Sequence, residues 1–193
     1  HDSGVAHCNS CHTMHNSDDG SFADPDNPNG NPYLLVEASS TDVCLNCHAT
    51  RLGAVFGDDP LAPPTNYGGG NFVFLLEDNI NDGHNGHLNP ISGDGAGHNV
   101  VSPSRGVGPD AVLSTSPGGA FPASQLACGS CHDPHGNQNF RLLYTTGAVK
   151  SGVTFTNPAP EAAGLAIFGG GEANDNHTAY NSGMSGWCGH FHG

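Results

Sequence analysis

Cys8-Asn9-Ser10-Cys11-His12 carries the pattern that decides how this chain folds, and the spacing returns as Cys44-Leu45-Asn46-Cys47-His48 and Cys128-Gly129-Ser130-Cys131-His132. Two thiols so spaced can form thioethers with the two vinyl groups of one haem, while the histidine that follows is delivered to the iron. Zinc ribbons join two Cys pairs across about 15 to 20 residues, whereas 32 and 80 residues separate successive pairs here. A thioredoxin-like redox site needs a βαβ setting that this sequence lacks. Three c-type haems are therefore expected, with Cys8, Cys11, Cys44, Cys47, Cys128 and Cys131 as attachment points and His12, His48 and His132 as proximal ligands.

The composition agrees with that reading. Leu, Ile, Val and Phe make up 36 of 193 residues and the net charge is −14, a pairing that by itself predicts disorder. Gly and Pro add 43 residues, favouring turns over long helices or broad sheets. Covalent porphyrins would supply the missing apolar interior. The expected fold is mostly irregular coil with a few short helices and strands, wrapped as one domain (1–193) around closely stacked haems. With only Arg51, Arg105, Arg141 and Lys150 as basic residues, binding to nucleic acid or an anionic membrane is excluded on charge grounds. No apolar run is long enough for a membrane span. No leader is visible, so His1 reads as the start of a mature, exported chain.

Along the chain, residues 17–32 form an acidic Asp/Asn/Pro/Gly loop without EF-hand spacing, expected as a solvated turn rather than a calcium site. A helix capped by Thr41 should carry the second motif. Short strands are expected at 71–78 and 140–146, and a short helix at SQLA before the third motif. His84, His87 and His98 lie on pliable Gly/Asn-rich backbone between them.

The seventh cysteine, Cys188, opens Cys188-Gly189-His190-Phe191-His192, the same pattern with Phe in the second Cys position. It can form one thioether while His192 binds iron, which raises the expected haem c count to four. The 13 histidines suffice for bis-His iron throughout, and six-coordinate iron favours an electron carrier over an enzyme such as a haem reductase. His15 and His135 each follow a motif histidine by three residues and cannot turn back onto the same iron, so each should serve a neighbouring haem. His7, His84, His87, His177 and His190 read singly as solvent or propionate partners. Asn176-His177-Thr178 is a weak glycosylation match, and Asn9-Ser10-Cys11 does not fit the pattern.

GVAHCNSCHTMHNS (4–17), GHNVV (97–101), SPGGAFPASQLACGSCHDPHG (116–136) and GMSGWC (183–188) resemble the outer-surface multihaem cytochromes of metal-reducing bacteria that polymerise into conducting filaments, the OmcS and OmcE type. Room for four haems makes the chain look closer to the tetrahaem OmcE kind. The resemblance implies an extracellular or cell-surface filament of identical subunits, exported through the periplasm, passing electrons to redox partners at the surface. It also implies that His15 ligates the terminal haem (Cys188/His192) of the next subunit, and that His1, His98 and His135 are the remaining distal ligands. The family has a second Cys where Phe191 stands, and residues 49–96 match it poorly.

A soluble periplasmic or secreted multihaem shuttle is the alternative to the filament. Acidic surroundings and haem propionates stabilise ferric iron, so low reduction potentials are expected; uniformly and strongly positive midpoints in a redox titration would contradict this.

Overall fold

The computed structural model describes residues 7–48, 98, 100–163 and 179–193. The expected strand at 71–78 and His1, His84, His87 and His177 lie outside them. Regular structure among the described residues is sparse: three short α-helices, α1 (Ser40–His48), α2 (Cys128–Cys131) and α3 (Met184–Cys188), and six short strands paired in three antiparallel two-stranded sheets. Single 3₁₀ turns and isolated bridges connect the rest. Among the described residues no helix is long and apolar enough to cross a membrane.

Two of the sheets are hairpins closed by two residues. β1 (Ser17–Asp18) and β2 (Ser21–Phe22) are joined by Asp19-Gly20, and β3 (Val149–Lys150) and β4 (Val153–Thr154) by Ser151-Gly152. All four turn residues have positive φ, the geometry that matches strand twist and favours Gly at the second position. The second hairpin continues through the Phe155 N–H to the Ala148 carbonyl at 2.9 Å and so carries Phe155 into the core. β5 (Glu161–Ala163) pairs with β6 (Ala179–Ser182) around a register shift.

The core is small and belongs to the C-terminal half: Phe121, Leu143, Val153, Phe155, Trp187 and Phe191. Its aromatic rings meet at centroid distances of 5.1 Å (Phe121–Phe191), 5.6 Å (Phe155–Trp187) and 5.9 Å (Trp187–Phe191). The Trp187 indole N–H donates to the Tyr144 carbonyl at 2.8 Å, so burying it leaves no polar atom unpaired.

α1 is held differently, by polar contacts to distant segments. The Asp42 carboxylate, fully buried, accepts from the hydroxyls of Ser39 and Ser102, both at 2.6 Å. The Arg105 guanidinium reaches the Leu45 carbonyl at 3.0 Å. The Cys128 N–H donates to the Thr41 hydroxyl at 3.3 Å, which docks α2 on α1.

Three local expectations are corrected. Ser39, not Thr41, caps α1, because its Oγ accepts the Asp42 N–H at 3.2 Å while Thr41 is buried against α2. Residues 140–146 do not form a strand: Phe140–Leu142 is a 3₁₀ turn with Arg141 and Leu142 at positive φ, for a reason set out below. The acidic loop is tied down rather than merely solvated. Asp24 is buried and its carboxylate accepts from the Asn27 and Asn31 amides (2.9 and 2.8 Å) and the Asp26 N–H (3.0 Å), which hold its pKa below the usual carboxylate range.

With so few apolar residues, each carries much of the stability. Phe155→Ala should cost about 3–5 kcal/mol, read as a lowered midpoint in urea unfolding; a change within error would mean that this cluster does not hold the C-terminal half together.

Candidate haem sites

Each motif folds as a single turn that puts its histidine over its first cysteine. The His12 N–H donates to the Cys8 carbonyl at 2.9 Å and the His132 N–H to the Cys128 carbonyl at 3.0 Å, while the second motif lies within α1. Cys188-Gly189-His190-Phe191-His192 closes in the same way, the His192 N–H donating to the Cys188 carbonyl at 3.0 Å. Phe191 therefore does not disturb the turn.

Three of the four motif histidines are oriented through Nδ1. That atom lies 3.0 Å from the Tyr33 carbonyl in His12, 2.7 Å from the Arg141 carbonyl in His132 and 3.0 Å from the Pro117 carbonyl in His192. A carbonyl can only accept, so Nδ1 carries the proton and Nε2 keeps its lone pair for a metal. His190 is the counter-example: its Nε2 accepts from the Thr156 and Asn157 N–H groups (2.8 and 3.1 Å) and its Nδ1 donates to the Trp187 carbonyl (2.7 Å). Both nitrogens are used by the protein, as expected for a histidine that is not a ligand.

The first and third motifs share a clamp that reading the motifs alone misses. Asn31-Pro32-Tyr33-Leu34-Leu35 and Asn139-Phe140-Arg141-Leu142-Leu143 follow them, and in each the third and fourth residues have positive φ. That twist turns the Tyr33 and Arg141 carbonyls toward the histidines. In each case the motif strand bonds back: Thr13 N–H to Leu34 O (2.7 Å) and Asp133 N–H to Leu142 O (2.8 Å). The Asn amides brace the turn, donating to the Leu35 carbonyl at 3.3 Å and the Leu143 carbonyl at 2.8 Å. The repeated Asn-x-x-Leu-Leu was the available sequence signal. For His192 the equivalent support comes from residues 116–119, where the Ser116 hydroxyl donates to the Phe191 carbonyl and a Cβ on Gly119 would overlap that same oxygen.

Two histidine pairs lie close together with their ring planes nearly parallel. The rings of His12 and His135 have centroids 6.3 Å apart and planes within 7°; those of His98 and His192 are 5.9 Å apart and within 20°. Two imidazoles bound at about 2 Å on opposite sides of one metal place their centroids about 6 Å apart. The second pair opens on an apolar cleft that Cys188, Phe121, Phe191 and Trp187 also line. Among the described residues no three or more His, Cys, Asp or Glu side chains could hold a metal ion by themselves. Two axial nitrogens beside thiols and an apolar cleft are what a porphyrin iron requires of its protein, so the residues fit haem c.

Burial pushes the imidazoles of His48, His98 and His132 below their ordinary range, helped at His48 by the neighbouring His132 and at His98 by His192. The cysteines of successive motifs are neighbours. Cys11 is raised by burial and by Cys44 and Cys47; Cys44 donates its thiol proton to Cys128; Cys131 is pushed up to about 12 by burial and by Cys188. Cys128 moves the other way, held below its ordinary range by that hydrogen bond with Cys44. His15 is exposed at positive φ, and no hydrogen bond engages its ring among the described residues. His7 is exposed as well.

A family described as "Doubled CXXCH motif" matches residues 121–152, a stretch that holds one of the motifs, Cys128 to His132. The C-type cytochrome OmcS of Geobacter sulfurreducens is 30% identical over an alignment of 247 residues that takes in all of this chain. The chain is homologous to OmcS. It spans 56% of the length of OmcS. Two solved OmcS structures share the fold: the OmcS nanowires seen by cryo-EM (TM-score 0.68, 26% identity) and the outer membrane cytochrome S filament (TM-score 0.66, 27% identity). Each match covers 98% of this chain and 59% of the OmcS chain. Mostly coil with short helices and strands is thus the fold of an OmcS filament subunit, as expected from composition.

The lowered imidazole pKa values set a pH dependence. Unfolding returns His48, His98 and His132 to about 6.5, so below that pH the unfolded chain takes up protons that the native one refuses, and stability falls. The urea midpoint should drop between about pH 7.5 and about pH 5.5; a flat or rising midpoint would contradict the burial of these rings.

Proposed function

We propose that this protein is a tetrahaem c-type cytochrome that polymerises head to tail into an extracellular electron-conducting filament, an electron carrier rather than an enzyme. The observation that carries it is the facing of His12 with His135 and of His98 with His192 at the spacing of two axial ligands, each pair built on a turn of the haem-binding type. Homology to OmcS supports the assembly and the location outside the cell.

Haem c, when bound, supplies iron that cycles between ferric and ferrous states and a conjugated ring through which electrons pass. The chain's own residues hold and order it. Cys8 and Cys11 with His12 and His135 make the first site, Cys44 and Cys47 with His48 the second, Cys128 and Cys131 with His132 the third, and Cys188 with His192 and His98 the fourth. Neighbouring cysteines run Cys11–Cys44, Cys44–Cys128 and Cys131–Cys188, which supports sites that follow one another in chain order. His1 remains a candidate for one of the two distal positions not yet filled. Nδ1 hydrogen bonds keep the Nε2 of His12, His132 and His192 unprotonated and free to hold an iron, and bis-His ligation would leave no position there for substrate.

His98 takes the second axial position of the fourth site, so the expectation that His15 ligates a neighbour's Cys188/His192 haem is revised: His15, exposed beside the first site, is the donor for one of the two positions still open on a neighbouring subunit, at His48 or His132. A donor on one subunit and an acceptor at a different place on the next make a heterologous contact that repeats without closing. Identical subunits are thus the main partner, with redox proteins at the cell surface as the source and sink of electrons.

Electron microscopy of the native material should show filaments, and His15→Ala should yield monomers in which one haem per chain has lost its sixth ligand and binds carbon monoxide when reduced. Unchanged filaments after that substitution would sink the inter-subunit role of His15; stoichiometric carbon monoxide binding by the unmodified protein would contradict six-coordination throughout.

A further inference from the structure

The fourth site departs from the others at one atom. Its turn closes at the same distance, 3.0 Å, as that of the third motif, and its histidine is oriented through Nδ1 and faced by His98 in the manner of the first. Where the other motifs offer a second thiol, Phe191 puts a buried ring into the aromatic core, edge-on to Phe121 at 5.1 Å and against Phe155 and Trp187, both at 5.9 Å. The cysteine beside Cys188 is Cys131, which the third motif already employs. A core phenylalanine and a spare thiol would need no explanation alone; the His98–His192 pair opening on the same cleft as Cys188 is the independent sign of a ligand.

We propose that the fourth haem is attached through Cys188 alone, with one vinyl group converted to a thioether and the other left as a vinyl. This rests on the tetrahaem reading above. The reaction is the addition of the Cys188 thiol across one vinyl double bond of a vinyl-bearing haem. The sulfur bonds to the carbon nearest the ring, the thiol hydrogen goes to the outer carbon, and no electrons are gained or lost. Retention then falls to the remaining holds: the two imidazoles, the apolar cleft, and the clamp of Ser116 and Gly119 on the Phe191 backbone. Phe191 exchanges a covalent bond for a place in the core, which joins the terminal haem site directly to the packing of the C-terminal half.

Trypsin provides the test, because cleavage after Arg51, Arg105, Arg141 and Lys150 leaves Cys188 as the only cysteine on peptide 151–193 and puts Cys128 and Cys131 on peptide 106–141. Native filaments would be denatured, digested and separated, and each peptide analysed by mass and by its pyridine haemochrome spectrum. Peptide 151–193 should carry one haem whose α band lies at longer wavelength than that of peptide 106–141, because one vinyl remains conjugated. Phe191→Cys should bring the two bands together. A haem on 151–193 with the band of 106–141, or a haem bridging the two peptides, would overturn single attachment and leave the tetrahaem cytochrome intact. A haem-free 151–193 beside haem-bearing 1–51 and 106–141 would remove the covalent fourth site, and haem-free peptides throughout would remove the cytochrome reading itself.

Discussion

A histidine that donates its Nδ1 proton to a backbone carbonyl offers Nε2 as a fixed, unprotonated ligand, and much of this structure exists to supply that carbonyl. The cost is local: Tyr33 and Leu34, and again Arg141 and Leu142, adopt positive φ, a region that L-residues rarely enter. Asn31 and Asn139 hold those turns with side-chain amides, and the motif strands bond back to the same carbonyl row. Sparse regular structure follows, since backbone groups that would otherwise pair into sheets are used to orient imidazoles.

The second consequence concerns packing. A six-residue aromatic and aliphatic cluster stabilises the C-terminal half, and α1 is joined to the rest by Asp42, Arg105 and Thr41 as well as by its buried Val43 and Leu45. Such a chain has little hydrophobic burial to set against conformational entropy. Under the proposed tetrahaem reading, about 48 residues per haem cannot insulate each ring in its own core, so the rings would pack against one another. Under the proposed reading the features that make the polypeptide a poor globular protein bring its cofactors close enough for electrons to pass.

Residues 140–146 show why some local expectations failed. Leu142, Leu143 and Tyr144 look like a strand because β propensity reports how side chains fit a pleated surface, yet the backbone here is bent to serve His132. Thr41 looks like a cap, and its hydroxyl is spent on α2 instead. In the acidic loop the carboxylate count suggested exposure, while the Asn residues between the acids, Asn27 and Asn31, are the donors that allow Asp24 to be buried. Each miss has the same origin: a polar side chain was committed to a partner that sequence proximity does not reveal.

From the sequence alone came the cofactor class, the histidines proposed as proximal ligands and the coil-rich architecture, because thiol and imidazole spacing is a local covalent demand and because composition limits how much core a chain can build. The fourth unit was legible too, as Cys188 four residues before His192. Tertiary structure decided the rest. It faced His135 with His12 and His98 with His192, put the cysteines of successive motifs side by side, committed both nitrogens of His190 to the protein, and buried Phe191 where a second thioether would stand. These are pairings between segments up to 123 residues apart (His12 and His135), set by how the loops close on one another, and no spacing rule along the chain contains them.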